Sequence, residues 1–106
     1  MHILIVDDHA MIREALSYGL SVLGHDVAQA EDGAAAIAAI EQRMPDVLIT
    51  DLEMPRMSGV ELIDHARQTY PALPIVATSA RARRRPEPQR GARARSPVQI
   101  AETVFR

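Results

Sequence analysis

The 106-residue chain contains no cysteine and no tryptophan, and all twelve of its basic residues are arginine, so lysine is absent as well. Without cysteine there is no disulfide framework, no thiolate metal site and no cysteine nucleophile. No apolar run is long enough to cross a bilayer, and the first residues enter a predicted strand without a basic region, which argues against a signal peptide. We therefore expect a cytoplasmic protein with no membrane partner.

The composition indicates one folded domain. Hydrophobic residues make up 47% of the chain, too many for a disordered protein, and the length suits a single domain. The net charge of −2 is the sum of an acidic part and a basic part of the chain. Residues 1–80 carry twelve acidic residues and four arginines, a net −8, whereas residues 81–106 carry eight arginines and two glutamates, a net +6.

Short apolar runs alternate with helical patterns along residues 1–80. The runs lie at 3–6, 26–30, 47–50 and 75–78 and are typical of strands covered on both faces. Apolar residues at helical spacing predict helices over 11–23, 34–43 and 58–69, the last one opening with a capping box of Ser58 and Glu61. Strands separated by such helices predict an α/β fold with a parallel sheet.

Acidic residues follow two of the predicted strands directly. Asp7 and Asp8 end the run Ile3–Val6, and Asp51 ends the run Val47–Thr50. In a parallel α/β sheet ligands bind at the carboxyl ends of the strands, and there these carboxylates would crowd together and raise one another's pKa. A divalent cation removes that penalty, and oxygen ligands suit Mg²⁺. The sequence therefore predicts a magnesium site at this edge.

Three motifs together resemble the receiver domains of bacterial two-component response regulators, the CheY-like family. They are Asp7-Asp8 after the first strand, the stretch from Asp51 to Gly59 after the third, and Thr78-Ser79-Ala80 after the fourth. The resemblance is close over residues 1–80. It implies a doubly wound, flavodoxin-like sheet of order 2-1-3-4-5 in a single receiver domain spanning residues 1–106.

The resemblance also implies roles for individual residues. Asp51 would be the phosphoacceptor, which takes its phosphoryl group from a sensor histidine kinase or a phosphotransfer protein. Mg²⁺ would be held by Asp8, by Asp51 and by the backbone carbonyl of Glu53, with Asp7 acting mainly through water. Ser79 would donate its hydroxyl to a phosphoryl oxygen. Such a protein is a signalling domain rather than an enzyme, with at most slow loss of its own phosphoryl group.

The last quarter of the chain departs from the family pattern. The family places a lysine before a proline at the end of the fifth strand, where this chain has Ser96-Pro97. The Arg/Pro-rich residues 81–96 contain no strand-forming run and are expected to be irregular, and residues 97–106 are predicted to form a short terminal helix. The fifth strand would then be missing or improvised, and an exposed fourth strand would invite dimerisation by strand addition.

Other interpretations remain open. A degenerate receiver could act as a docking module without phosphorylation. A phosphatase of the haloacid-dehalogenase type also places Asp after its first strand, but that class has Asp-x-Asp where this chain has adjacent acids. The arginine-rich segment could bind nucleic acid, although it lacks interleaved aromatic residues, so a nucleic-acid partner is not expected. His9 could approach a metal, but we expect an exposed histidine that caps a helix.

Overall fold

The computed structural model describes residues 1–54, 58–79 and 98–102. In these ranges five strands and three helices follow one another as β1, α1, β2, α2, β3, α3, β4 and β5. The strands are His2–Val6, Asp26–Ala30, Val47–Asp51, Ile75–Ser79 and Val98–Glu102. The helices α1, α2 and α3 are Ala10–Val22, Gly33–Gln42 and Gly59–Thr69. The predicted alternation over residues 1–79 is confirmed.

All strand pairs are parallel, and the order in the sheet is β2-β1-β3-β4-β5. This is the predicted doubly wound, flavodoxin-like arrangement. In its register Val6 lies opposite Ala30 on one side and Thr50 on the other, while Asp51 lies opposite Thr78. The carboxyl ends of β1, β3 and β4 therefore meet at one edge of the sheet.

Two predictions for the end of the chain are wrong: the exposed fourth strand and the terminal helix. Residues 98–102 pair in parallel with β4, Ile75 opposite Val98 and Ser79 opposite Glu102, so the helix predicted over 97–106 is wrong for these residues. β-branched Val98 and Ile100 alternate with Gln99 and favour a strand, and the pairing satisfies backbone groups that β4 would otherwise expose. Because β4 now has a neighbour on both sides, dimerisation by strand addition to it loses its basis. The predicted irregular segment 81–96 lies outside the described residues.

The main core lies on the face of the sheet that carries α2 and α3. It is formed by apolar side chains of four strands and two helices, which include Leu4, Val6, Ala30, Leu48, Ile75, Ala77, Ala36, Ile40, Leu62, Ile63 and Ala66. Ile3 and Ile5 alternate with the core residues of β1 and are buried on the opposite face. Right-handed crossovers place α1 on that face, where it packs against β1 and β2.

The helix α1 buries less of its apolar surface than its sequence indicates. Ile12, Leu16 and Leu20 are half-buried, but Met11 is 84% exposed and Leu23 is 73% exposed. Met11 lies in the first turn at the edge of the apolar stripe, and Leu23 lies beyond the last helical residue. Of the helices in the described residues, none combines the length and apolar character that a bilayer crossing requires.

Candidate functional site

The acids predicted to converge lie together at the carboxyl edge of the sheet. Asp7 and Asp8 directly follow β1, and Asp51 is the last residue of β3, the neighbouring strand. One carboxylate oxygen from each of the three and a ring nitrogen of His9 all lie within 4.8 Å of one another. In the described part of the chain this is the one cluster of three or more side chains that can hold a metal.

Asp7 is fixed by contacts on its backbone and its side chain. Its N–H donates to the carbonyl of Ala30 at 3.2 Å, and its Oδ1 accepts from the backbone N–H of His9 at 2.8 Å, a local turn that Asp commonly makes. The carbonyl of Asp7 accepts from Arg13 Nη1 at 2.7 Å, while Arg13 Nε donates to Gln29 Oε1 at 3.0 Å. The Asp7 carboxylate is therefore buried in a defined orientation.

Sequence reasoning missed the bracing pair of Arg13 and Gln29. Arg13 is the single basic residue of α1, and its guanidinium joins that helix to the end of β1 and to β2. The available signal was an isolated arginine one turn after a pair of acids. Its partner Gln29 could not be identified from sequence, because the contact depends on how β2 lies beside β1.

Asp8 has a buried carboxylate oxygen, Oδ1, that accepts no hydrogen bond from any described residue. His9 Nδ1 lies 3.2 Å from this oxygen, a separation short enough for an ion pair when the imidazole is protonated, although it does not meet hydrogen-bond geometry. A buried carboxylate oxygen without a donor is unfavourable. The hard oxygen donors and this orphaned atom fit the requirements of Mg²⁺.

Asp51 is half-buried, and its charge is unfavourable in this position. Burial raises the pKa of its carboxyl group from 3.8 to about 6, and the negative charges of Asp7 and Asp8 act in the same direction. The backbone N–H of Glu53, which donates to Asp51 Oδ1 at 3.3 Å, opposes the rise. The contact seen for Glu53 is thus through its N–H, and metal binding by its carbonyl stays a prediction.

The first residue of α3 is in direct backbone contact with the end of β3 and the residue that follows it. The N–H of Gly59 donates to the carbonyl of Leu52 at 3.1 Å. A Cβ atom added at Gly59 would lie 2.0 Å from the carbonyl oxygen of Asp51 and 2.5 Å from Leu52 Cα, so this approach requires glycine. The predicted capping box of Ser58 and Glu61 is present and starts the helix at this point.

Ser79 is the last residue of β4 and reaches the same edge of the sheet. Asp51 lies opposite Thr78, so Ser79 follows the position that faces the predicted phosphoacceptor. The N–H of Leu52 donates to the carbonyl of Thr78 at 2.9 Å, which ties the two strand ends together. The backbone therefore brings Ser79 to the edge where Asp7, Asp8 and Asp51 meet.

Comparison with known proteins gives a consistent result. The family described as the response regulator receiver domain matches residues 3–94. The response regulator MprA of Mycobacterium avium is 42% identical over 81 residues, which are 76% of this chain and 36% of that protein. The chain thus spans about a third of the length of the curated relatives it matches.

Two solved structures resemble the whole described fold. The chemotaxis protein CheY4 of Vibrio cholerae has a TM-score of 0.81 and 28% identity, covering 99% of this chain and 88% of its own. The response regulator TrrA of Thermotoga maritima, solved in complex with Mg²⁺ and BeF, has a TM-score of 0.80 and 27% identity, covering 98% of this chain and 88% of its own.

Proposed function

Since the chain belongs to the family of response regulator receiver domains, we propose that Asp51 accepts a phosphoryl group from the phosphohistidine of a sensor histidine kinase or a phosphotransfer protein. The observation that carries this proposal is the convergence of Asp7, Asp8 and Asp51 within 4.8 Å at the carboxyl edge of the sheet. A group of like charges in this position is unfavourable for stability, and a site that handles phosphoryl groups and cations accounts for it.

The chemistry asked of Asp51 is a nucleophilic substitution at phosphorus. A carboxylate oxygen of Asp51 forms a bond to phosphorus as the bond between phosphorus and the donor imidazole nitrogen breaks, and the nitrogen keeps the electron pair. The donor ring is protonated on its other nitrogen, so the products are an acyl phosphate on Asp51 and a neutral histidine on the donor. With its pKa raised to about 6, the carboxylate is still mostly ionised at neutral pH and able to attack.

In phosphoryl transfer a protein mainly positions groups and neutralises charge. Mg²⁺ held by Asp8, Asp51 and the carbonyl of Glu53, with Asp7 acting through water, would supply that neutralising charge. TrrA, a structural relative, was solved with Mg²⁺ and BeF, which supports this assignment. The Arg13 contact to the Asp7 carbonyl and the His9 N–H contact to the Asp7 carboxylate hold one of these acids in place.

The carboxyl edge of the sheet also suggests a role for Ser79. We assign to Ser79 the donation of its hydroxyl to a phosphoryl oxygen, since β4 brings its backbone beside the end of β3. Slow hydrolysis of the acyl phosphate would reset the domain, so we propose a signalling role rather than turnover of a substrate. The match to receiver domains gives no support to the phosphatase alternative.

The test is covalent labelling by a small phosphodonor. Wild-type protein incubated with acetyl phosphate and Mg²⁺ should gain one phosphoryl group, measured by intact-protein mass spectrometry. Asp51→Asn should gain none, whereas Asp64→Asn, which alters an exposed acid of α3, should be labelled like wild type. Equal labelling of Asp51→Asn and wild type would place the phosphoacceptor elsewhere.

A second candidate function rests on the lysine-free composition of the chain. The family's lysine, which pairs with the phosphoryl group, has no counterpart at Ser96-Pro97, and a guanidinium does not reproduce a lysine charge in a tight site. A receiver that docks with its partner without phosphorylation would show no labelling in any variant. It would still bind the kinase in a pull-down that Asp51→Asn leaves unchanged.

A further inference from the structure

The side chain of His9 does not have the role that its sequence position indicates. His9 occupies the N-cap position of α1 and is exposed, as predicted, but its imidazole makes no capping hydrogen bond to any described residue, so the prediction that its side chain caps the helix is wrong. The side chain is 66% exposed, and its Nδ1 lies 3.5 Å from Asp7 Oδ1 and 3.2 Å from Asp8 Oδ1. The ring is therefore placed against the acidic cluster instead of the helix end.

We propose that His9 is a nitrogen ligand of this site, which gives it a stronger preference for transition-metal dications than three carboxylates alone would provide. The inference rests on the metal site of the proposed function and adds the chemical class of cation that the site selects. Imidazole is a good ligand for Co²⁺ and Zn²⁺, whereas Mg²⁺ prefers oxygen and keeps its water. Removal of the ring should thus change selectivity rather than magnesium binding.

The geometry needs only a small adjustment to place all four donor atoms around one ion. With bonds of about 2.1 Å, two ligands on opposite sides of a cation are about 4.2 Å apart. The observed spread is at most 4.8 Å, so a closure of about half an ångström brings the donors into range. The backbone contact from the His9 N–H to Asp7 Oδ1 already fixes the spacing between these two residues.

Asp8 provides an independent reason for a ligand at this position. Its Oδ1 is buried and accepts no hydrogen bond from any described residue, and it lies 3.2 Å from His9 Nδ1, closer than Asp7 Oδ1 at 3.5 Å. In octahedral coordination adjacent ligands lie about 3.0 Å apart, as follows from bonds of about 2.1 Å at right angles. The Asp8 oxygen and the His9 nitrogen therefore already have the separation of neighbouring ligands.

The competing explanation is that His9 is a counterion that occupies the place of the metal. In that case its removal would strengthen the binding of Mg²⁺, Mn²⁺ and Co²⁺ alike, because every cation would meet a more negative site. A ligand role predicts a graded loss instead, since affinity for nitrogen donors rises from Mn²⁺ to Co²⁺. The two explanations thus differ in the sign of the effect.

Isothermal titration calorimetry of the whole chain with Mg²⁺, Mn²⁺ and Co²⁺ distinguishes the ligand explanation from the counterion explanation. The titrations belong at neutral to slightly alkaline pH, because metal ligands must be deprotonated. For His9→Ala we expect affinity for Co²⁺ to fall at least about tenfold, the size of loss that removing a partner of a metal site commonly causes. Affinity for Mg²⁺ should change by less than a factor of about two, and Mn²⁺ should lie between.

His65→Ala is the matched control, because His65 of α3 packs edge-on against Tyr70, the residue after the helix, and lies outside the acidic cluster. It should leave all three affinities unchanged. A second readout is the ring nitrogen signal of His9 in ¹⁵N NMR, which should shift on addition of diamagnetic Zn²⁺ in wild type but not with Mg²⁺. His9→Asn keeps a polar residue at the N-cap position and should behave like His9→Ala.

The outcomes distinguish this inference from the proposed function. If the three affinities rise together in His9→Ala, or Co²⁺ binding is unchanged, His9 is not a ligand, while labelling of Asp51 with Mg²⁺ still supports the receiver role. If Asp51 is not labelled but Co²⁺ binding falls as expected, the ligand role stands and the phosphoacceptor role fails. If no dication binds the wild-type chain, both proposals are overturned.

Discussion

Asp51 shows how its surroundings change the chemistry of one side chain in the proposed site. It ends a buried strand, and both the loss of water around it and the two acids beside it disfavour its charge. The folded protein therefore holds a proton on this group more tightly than the unfolded chain does. The same property that makes the site attractive to a cation makes the metal-free domain less stable once the carboxyl group ionises.

The sign of the resulting pH dependence follows from proton linkage. The pKa of Asp51 rises from 3.8 to about 6 on folding, so its contribution to the free energy of unfolding is lost as pH increases through that window. We expect Asp51→Asn to be more stable than wild type in metal-free buffer at neutral pH by about 1 kcal/mol, less than the full shift implies because solvent screens the half-buried side chain. The difference should vanish near pH 4.

Thermal unfolding in the presence of a chelator, followed by circular dichroism from pH 4 to 8, measures this effect. The quantity to compare is the difference in Tm between wild type and Asp51→Asn, because it removes the pH effects that the two proteins share. Asp64→Asn serves as the control and should show no growing difference. A difference that is constant with pH would contradict the raised pKa.

The contact between α3 and β3 sets the position of the site at the scale of secondary structure. The capping box of Ser58 and Glu61 starts the helix, and Gly59 lets its first turn approach the peptide after Asp51 without a Cβ in between. The helix then buries Leu62, Ile63 and Ala66 in the main core. The packed helix α3 thus contacts the end of β3, which carries the predicted phosphoacceptor.

Gly59→Ala should therefore damage both stability and function. The new Cβ would meet backbone atoms 2.0–2.8 Å away, which cannot move as a flexible side chain would, so we expect a loss of about 3 kcal/mol or more, the upper end for overpacking. Phosphorylation of Asp51 by acetyl phosphate should slow as well. Urea unfolding and the labelling assay measure the two effects.

Gly19→Ala is the matched substitution in α1. A Cβ added there meets no described atom within 4 Å, and alanine in a helix interior is favoured over glycine by about 0.5–1 kcal/mol. This variant should be as stable as wild type or more so, with normal labelling. Equal losses of stability in Gly59→Ala and Gly19→Ala would show that the close backbone contact at Gly59 does not require glycine.

The molecule as a whole places its helices unevenly on the sheet. α2 and α3 share one extensive core with four of the strand segments, whereas α1 packs against β1 and β2 on the other face. The same sheet gathers the unfavourable charges of Asp7, Asp8 and Asp51 at its carboxyl edge. Stability should for this reason depend on whether a cation is bound there.

Addition of Mg²⁺ should raise the Tm of the entire domain. A ligand that binds only the folded state stabilises it by about 2.7 kcal/mol at a concentration one hundred times its Kd. Asp8→Asn replaces the carboxylate that carries the orphaned oxygen by a neutral amide and should abolish most of the rise, while Asp64→Asn should retain it. Scans against NaCl of equal ionic strength exclude simple screening. No rise in wild type would show that the acids do not form a cation site.

The alternation of strands and helices over residues 1–79 could be predicted from the sequence, because it depends on local patterns. The sheet order was implied by the resemblance to receiver domains, and this order brings the three acids to one edge. Short apolar runs form buried strands, runs at helical spacing cross over between them, and an acid directly after a strand has to lie at its carboxyl end. The capping box of Ser58 and Glu61 is local for the same reason.

Contacts between distant parts of the chain settled the rest. The apolar spacing over residues 97–106 predicts a helix, yet Val98–Glu102 forms a strand because β4 offers unpaired backbone groups beside it and because Val98 and Ile100 suit a strand. The imidazole of His9 lies against Asp7 and Asp8, and Arg13 reaches Gln29 across two elements. The raised pKa of Asp51 likewise depends on burial and on neighbouring charges. Weak local preferences yield to long-range pairing, and a pKa depends on which groups the fold brings near.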